Sequence, residues 1–94
     1  MSAQVAADLR AAAEVLRRDG WAQGGLAGDG YCAIEAVWQV AGYWGKRPME
    51  AVESLRGYVP RPGSIIQWND APGRTVDEVI AALEAAADAA EGTP

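Results

Sequence analysis

Apolar residues in the first twenty positions recur with a helical period. Val5, Leu9, Ala12 and Leu16 fall at i, i+4, i+7 and i+11, one face of a helix over residues 3–19, with Glu14, Arg17, Arg18 and Asp19 on the other side. Ser2 suits the N-cap, where a hydroxyl accepts an orphan backbone N–H, and Gly20 suits the left-handed position past the C-terminus. The period then stops. Gly20, Gly24, Gly25, Gly28 and Gly30 crowd together, a density that predicts a loop, pinned to the core by Trp21 and Leu26.

A second helix is predicted at about residues 31–43, capped by Asp29, with Ile34, Val37, Trp38 and Ala41 on its apolar side. Gly42 and Gly45 bracket its end, with Tyr43 and Trp44 between them. Pro48 suits the first position of a third, short helix, because its missing N–H costs nothing there. Met49, Val52 and Leu55 would form its inner face, and Gly57 would close it. The stretch from Tyr58 to Gly63 holds Pro60 and Pro62, which push their predecessors toward extended backbone, so no helix crosses it.

Ser64 to Trp68 contains the β-branched pair Ile65 and Ile66, but no second strand candidate exists to pair with it. One helical turn capped by Ser64 is the better fit. Asp70-Ala-Pro-Gly-Arg74 then spells a tight turn, with Pro72 presetting φ and Gly73 free to take φ > 0. Thr75 and Glu78 have the spacing of a capping box. Val76, Val79, Ile80, Leu83, Ala86, Ala87 and Ala90 form the stripe of a last helix that Gly92 stops, and residues 91–94 read as a frayed tail. The pattern as a whole predicts an all-α single domain over residues 1–94. It is a small bundle of three to four helices with long Gly/Pro-rich connecting loops, the two terminal helices side by side.

Composition adds mainly exclusions. Alanine supplies 20 of the 94 residues, and each buried methyl contributes only about 0.8 kcal/mol, so the few larger side chains carry the core. Histidine is absent, which removes imidazole acid–base catalysis, Cys–His or Ser–His activation and imidazole metal ligation. The single cysteine excludes an internal disulfide framework and a thiolate zinc cluster. A net charge of −5 is the reverse of a nucleic-acid-binding surface. No apolar run reaches the roughly 20 residues of a membrane span, and the N-terminus lacks the pattern of a secretory leader. No membrane contact, no cofactor and a cytoplasmic location are expected.

Each candidate chemistry has a plainer reading beside it. Cys32, in Gly28-Asp-Gly-Tyr-Cys32, superficially resembles the nucleophile loop of ovarian-tumour-type cysteine proteases, and a thiol at a helix start has a lowered pKa. Those enzymes need a histidine, so a small apolar residue packed at the helix start is favoured here. The glycines at 24, 25, 28 and 30 lack the Lys-Ser/Thr of a phosphate loop, and Asp29 would repel an anion. Asp29 with Glu35, or Asp77 with Glu78, falls short of the six or so oxygens that calcium prefers; no metal is predicted.

The aromatics and arginines remain. Trp21, Trp38 and Trp68 are read as core fillers; Tyr43, Trp44, Tyr58 and Arg61, at loops or helix ends, are read as protein-binding residues.

The string Trp68-Asn69-Asp70-Ala71-Pro72-Gly73-Arg74-Thr75 followed by an amphipathic helix resembles the signature of a small uncharacterised family associated with actinobacteria and their phages. The likeness extends to Gly20-Trp21, Gln23-Gly24, Leu26 and Cys32. It implies an origin rather than an activity. A second Cys that family often carries near position 22 is Ala22 here, which removes any redox or metal pair. The string itself reads as a structural staple. Trp68 anchors, Asn69 or Asp70 caps the turn, Arg74 returns to pair with Asp70, and Thr75 with Glu78 opens the last helix. The expectation is a non-enzymatic, phage-encoded interaction module, monomeric or weakly homodimeric, that binds a host protein and no nucleic acid. The alternatives are a small Cys32-dependent enzyme and an acidic nucleic-acid mimic, the latter opposed by the arginines that interrupt the acids.

Overall fold

The computed structural model describes residues 2–24, 30–60 and 63–92. Among them run five helices and no strand: α1 (Ala3–Asp19), α2 (Ala33–Ala41), α3 (Lys46–Arg56), α4 (Ile65–Asn69) and α5 (Val76–Ala90). The expected three to four become five because two pieces that read as marginal are full elements. The Ser64 turn closes as α4, with Ser64 Oγ accepting from Gln67 N and the Gln67 side chain accepting from Ser64 N. Helix α3 gains length by starting two residues before Pro48.

Helices α1 and α5 lie side by side and form the most extensive contact in the fold. Leu9, Ala12, Ala13 and Leu16 meet Val79, Leu83, Ala86 and Ala87 in a fully buried core, where alanine's small side chain lets the backbones close up. The two helices are tied at one end by Ser2 N donating to Ala90 O at 2.6 Å. Across their outer edge Arg10 pairs with Asp88 and Glu91, and Arg17 with Glu84. Helices α2 and α3 cover α1 from one side, α3 also reaches α5, and α4 closes against α2.

Three element boundaries differ from the reading above. Helix α2 starts at Ala33 under Cys32 as N-cap rather than at residue 31 under Asp29, which lies outside the described residues together with Leu26. It ends at Ala41, before Gly42 at φ 97°. Helix α3 has Gly45 as N-cap and carries Pro48 third, not first; no N–H in the first turn has an intrahelical partner, so proline fits there as well. With that start, the inner stripe is Pro48, Ala51 and Leu55. Met49 is therefore turned outward at 67% exposure instead of facing the core.

The chain also crosses itself. Tyr31 N donates to Gly20 O and Ala22 N to Tyr31 O, a single parallel bridge between Trp21 and Tyr31. Gly30 sits so near this crossing that a Cβ there would lie 2.7–2.9 Å from the backbone of Gly20 and Trp21. Only glycine fits such an approach.

Candidate functional site

The structural string works as a clamp centred on Asn69, which is completely buried. Its Oδ1 accepts from Trp21 Nε1 at 2.7 Å and from Ala33 N at 3.1 Å, and its Nδ2 donates to Ala22 O and Asp70 Oδ1. One side chain at the end of α4 thus satisfies an orphan N–H at the start of α2 and holds the segment after α1. Asp70 Oδ1 also accepts from Gly24 N, and Gln23 Nε2 donates to the carbonyls of Asn69 and Ala71. Arg74 does not pair with Asp70. Its guanidinium lies 4.6 Å over the Trp68 ring, its Nε donates to Trp68 O, and its Nη1 is 3.6 Å from Glu78. Stacking and a carbonyl contact already fix the Arg74 fork, while Asp70 is taken by Gly24 and Asn69.

Pro72 and Gly73 lie exposed in the turn, Gly73 at φ 83°, and Thr75 Oγ1 caps Glu78 N as the box predicts. The backbone N–H of Thr75, with Arg74 nearby, holds the Glu78 carboxyl below the usual carboxylate range.

Cys32 is buried and its sulfur accepts from Glu35 N at 3.4 Å, while Glu35 Oε1 accepts from Cys32 N. Burial pushes the thiol pKa up, against the smaller opposing effect of the Glu35 N–H. Deprotonation is disfavoured where the sulfur sits, so its role in the fold is that of a helix cap. Among the described residues no group of three His, Cys, Asp or Glu side chains could hold a metal ion.

A polar pair the pattern did not single out joins α1 to α3. Asp8, 2% exposed, accepts from Arg47 Nε at 2.8 Å and Arg47 Nη2 at 2.7 Å, and from Gln4 Nε2 at 3.0 Å. The Arg47 bonds hold its carboxyl below the usual range despite burial. Asp8 stands at i+3 from Val5, inside the apolar stripe of the first helix, and a carboxylate there is a sequence signal of a buried partner.

Three exposed apolar residues gather at the start of α3, while Ile66 is exposed on α4 and Tyr58 past the end of α3. Trp44 is 90% exposed, Met49 67% and Tyr43 56%, beside a groove of about 440 Å³ lined by Ile34, Trp38, Pro48, Val52 and Glu53 as well. Gly42 and Gly45, both at positive φ, form the two corners that carry Tyr43 and Trp44 out of the bundle. Tyr43 leans on Trp38, ring centroids 5.5 Å apart, and its hydroxyl accepts from Gln39 Nε2.

Trp38, expected in the core, is thus a half-buried groove wall, whereas Trp21 and Trp68 do pack against the core. Tyr58, 46% exposed, lies past the other end of α3, a helix about 16 Å long at 1.5 Å per residue, so a single chain does not bring it to Trp44. Arg61 lies outside the described residues.

Residues 1–89 match the model of a family of unknown function (DUF6197), and the chain belongs to that family. No curated protein and no solved structure matches it.

Proposed function

We propose that this member of the family is a non-enzymatic interaction module that binds another protein through the Trp44 side of α3. The observation that carries the reading is Trp44 itself. An indole 90% exposed costs hydration, and two glycine corners hold it beside an apolar groove where the fold gains nothing from it. Trp and Tyr are among the side chains that dominate interface energies and Met is enriched at interfaces, and Tyr43 and Met49 stand next to it. The Trp68–Thr75 string and its family likeness support an encoded origin in a phage of actinobacteria. On that origin the partner is a host protein and the site of action the host cytoplasm.

The test uses immobilised chain and lysate of an actinobacterial host. A defined protein retained by the wild type and lost by Trp44→Ala, with the melting temperature of the variant unchanged, carries the reading. Equal retention by both would overturn it. Trp44 makes so little contact with its own chain that its removal is expected to move stability by less than about 0.5 kcal/mol.

A further inference from the structure

Helix α3 stands as a ridge with an open groove on each side. Between α3 and α2 lies the groove of about 440 Å³ that Trp44 borders. Between α3 and the ends of α1 and α5 lies another of about 1070 Å³, lined by Ser2, Val5, Lys46, Glu50, Ser54 and Ala90 among others. Close packing therefore reaches α3 from beneath, where Pro48, Ala51 and Leu55 are buried and Leu55 is the one large side chain. Helix α1 buries Val5, Leu9, Val15 and Leu16 besides its alanines, and α5 buries Val79, Ile80 and Leu83.

Among the described residues, Arg47 makes the only hydrogen bonds that join α3 to another element. Half exposed, it donates to Asp8 from Nε at 2.8 Å and from Nη2 at 2.7 Å. The other charged pairs of the helix, Lys46 with Glu50 and Arg56 with Glu53, stay within α3. The chain enters α3 through Gly42 and Gly45, and nothing lies within 4 Å of where a Cβ would stand at either. That corner is unpacked, so it can turn without displacing a neighbour, as hinge positions do.

We propose that α3 is a hinged wall, latched shut by Arg47 on Asp8, that opens as one unit while α1, α2, α4 and α5 stay packed. Opening gives up one leucine, two small side chains and a charged fork, whereas the seam of α1 and α5 is kept. Asp8, 2% exposed with the latch closed, gains water when α3 lifts, so its carboxylate is not left dry and unpaired. The groove depends on the latch. Ile34 and Trp38 belong to α2, and Pro48, Met49 and Val52 to α3, so its two walls face each other only while α3 is down. Opening belongs to the free chain and needs no partner, but any occupant that touches both walls binds the latched form and holds α3 shut.

Native-state hydrogen exchange, followed residue by residue by NMR, is the experiment, on the wild type, Arg47→Met and Asn69→Ala. In the wild type the bonded amides of α3 are expected to share one opening, at least about tenfold more frequent than that of the slowest amides of α1 and α5. Its urea dependence should be weaker, because less surface is exposed. Arg47→Met is expected to speed α3 exchange about tenfold, since the fork is then missing from the closed state. Asn69 bonds to Trp21, Ala22 and Ala33 and to nothing in α3, so its clamp survives the opening. Asn69→Ala should therefore speed the slowest amides of α1 and α5 about a hundredfold and leave α3 unchanged.

Equal exchange and equal urea dependence in α3, α1 and α5 of the wild type overturn the hinged wall, because α3 then opens only with the whole chain. So does an Asn69→Ala variant in which α3 speeds up as much as α1. An α3 that opens alone but at the same rate in Arg47→Met overturns the latch. Where Asn69→Ala does not fold, the urea dependence of the wild type decides by itself.

Discussion

Trp21 and Asn69 are 48 positions apart in the chain, and the indole Nε1 of the first donates to the side-chain oxygen of the second at 2.7 Å. The same oxygen accepts the first backbone N–H of α2, so the loop after α1, the start of α2 and the end of α4 are fixed by one buried amide.

Removing that amide leaves the Ala33 N–H, the Trp21 indole N–H and the Ala22 carbonyl without their partner. Each loss of this kind costs about 1–3 kcal/mol when the group stays dry, and a chain of this size holds roughly 9 kcal/mol in all. Asn69→Ala is therefore expected to lose about 3 kcal/mol and to melt roughly 10–20 °C lower by calorimetry. Asn69→Asp keeps the acceptor but sets a second carboxylate against Asp70, so it should be more stable near pH 4 than at neutral pH, the reverse of the wild type. A melt for Asn69→Ala indistinguishable from wild type would refute the clamp.

Two glycines make opposite predictions. A Cβ at Gly30 meets backbone atoms of Gly20 and Trp21 that cannot move aside, and Gly30→Ala should cost about 2 kcal/mol or more. Gly57 has φ −66°, and its Cβ would lie 3.6 Å from Ser54 O, an ordinary contact. Gly57→Ala should gain about 0.4–1 kcal/mol by restricting the unfolded chain. Urea midpoints for the two variants, on either side of wild type, check the assignment.

Asp8 gives stability a pH dependence of known sign. Arg47 lowers its carboxyl pKa in the folded chain, so the unfolded chain takes up the proton first as pH falls. The contribution is complete above the ordinary value near 4 and is lost as pH drops through the folded value. Urea titrations from pH 7 to 2.5 should show this loss in the wild type, and Asp8→Asn should show less of it. At pH 7, Arg47→Met should cost about 1–2 kcal/mol, because the buried carboxylate keeps only Gln4 as a side-chain donor. Equal acid sensitivity in the wild type and Asp8→Asn would remove the pair from the account.

Cys32 separates a cap from a nucleophile. In the folded chain its buried thiol, with a raised pKa, should react with a maleimide at least about 100-fold more slowly than in urea. Cys32→Ser should hold stability, because a hydroxyl caps better than a thiol, whereas Cys32→Ala should lose about 1 kcal/mol. Fast labelling of the native protein would reopen cysteine chemistry.

How much was legible beforehand depends on the range of the interaction. The capping box of Thr75 and Glu78, the Ser2 and Ser64 caps and the α1 and α5 stripes all follow from neighbours within one or two helical turns, which the order of residues encodes directly. The true cap of α2, the outward turn of Met49 and the stacking of Arg74 on Trp68 did not follow. The first two depend on where a helix starts to within a residue or two, a shift that rotates a side chain from the core to solvent, and the third on competition for Asp70, which Gly24 and Asn69 occupy.

By itself, then, the sequence determined the helical class, the pairing of the terminal helices and the absence of imidazole from any chemistry the chain performs. Only the tertiary structure decided that Asn69 is the hub, that Asp8 is buried against Arg47, and that Trp38, Tyr43 and Met49 share a groove with Trp44. The Asn69 and Asp8 contacts join residues far apart in the chain. Their energy comes from desolvated polar groups finding one another, and nothing in local periodicity reports which distant partner a buried amide or carboxylate will meet.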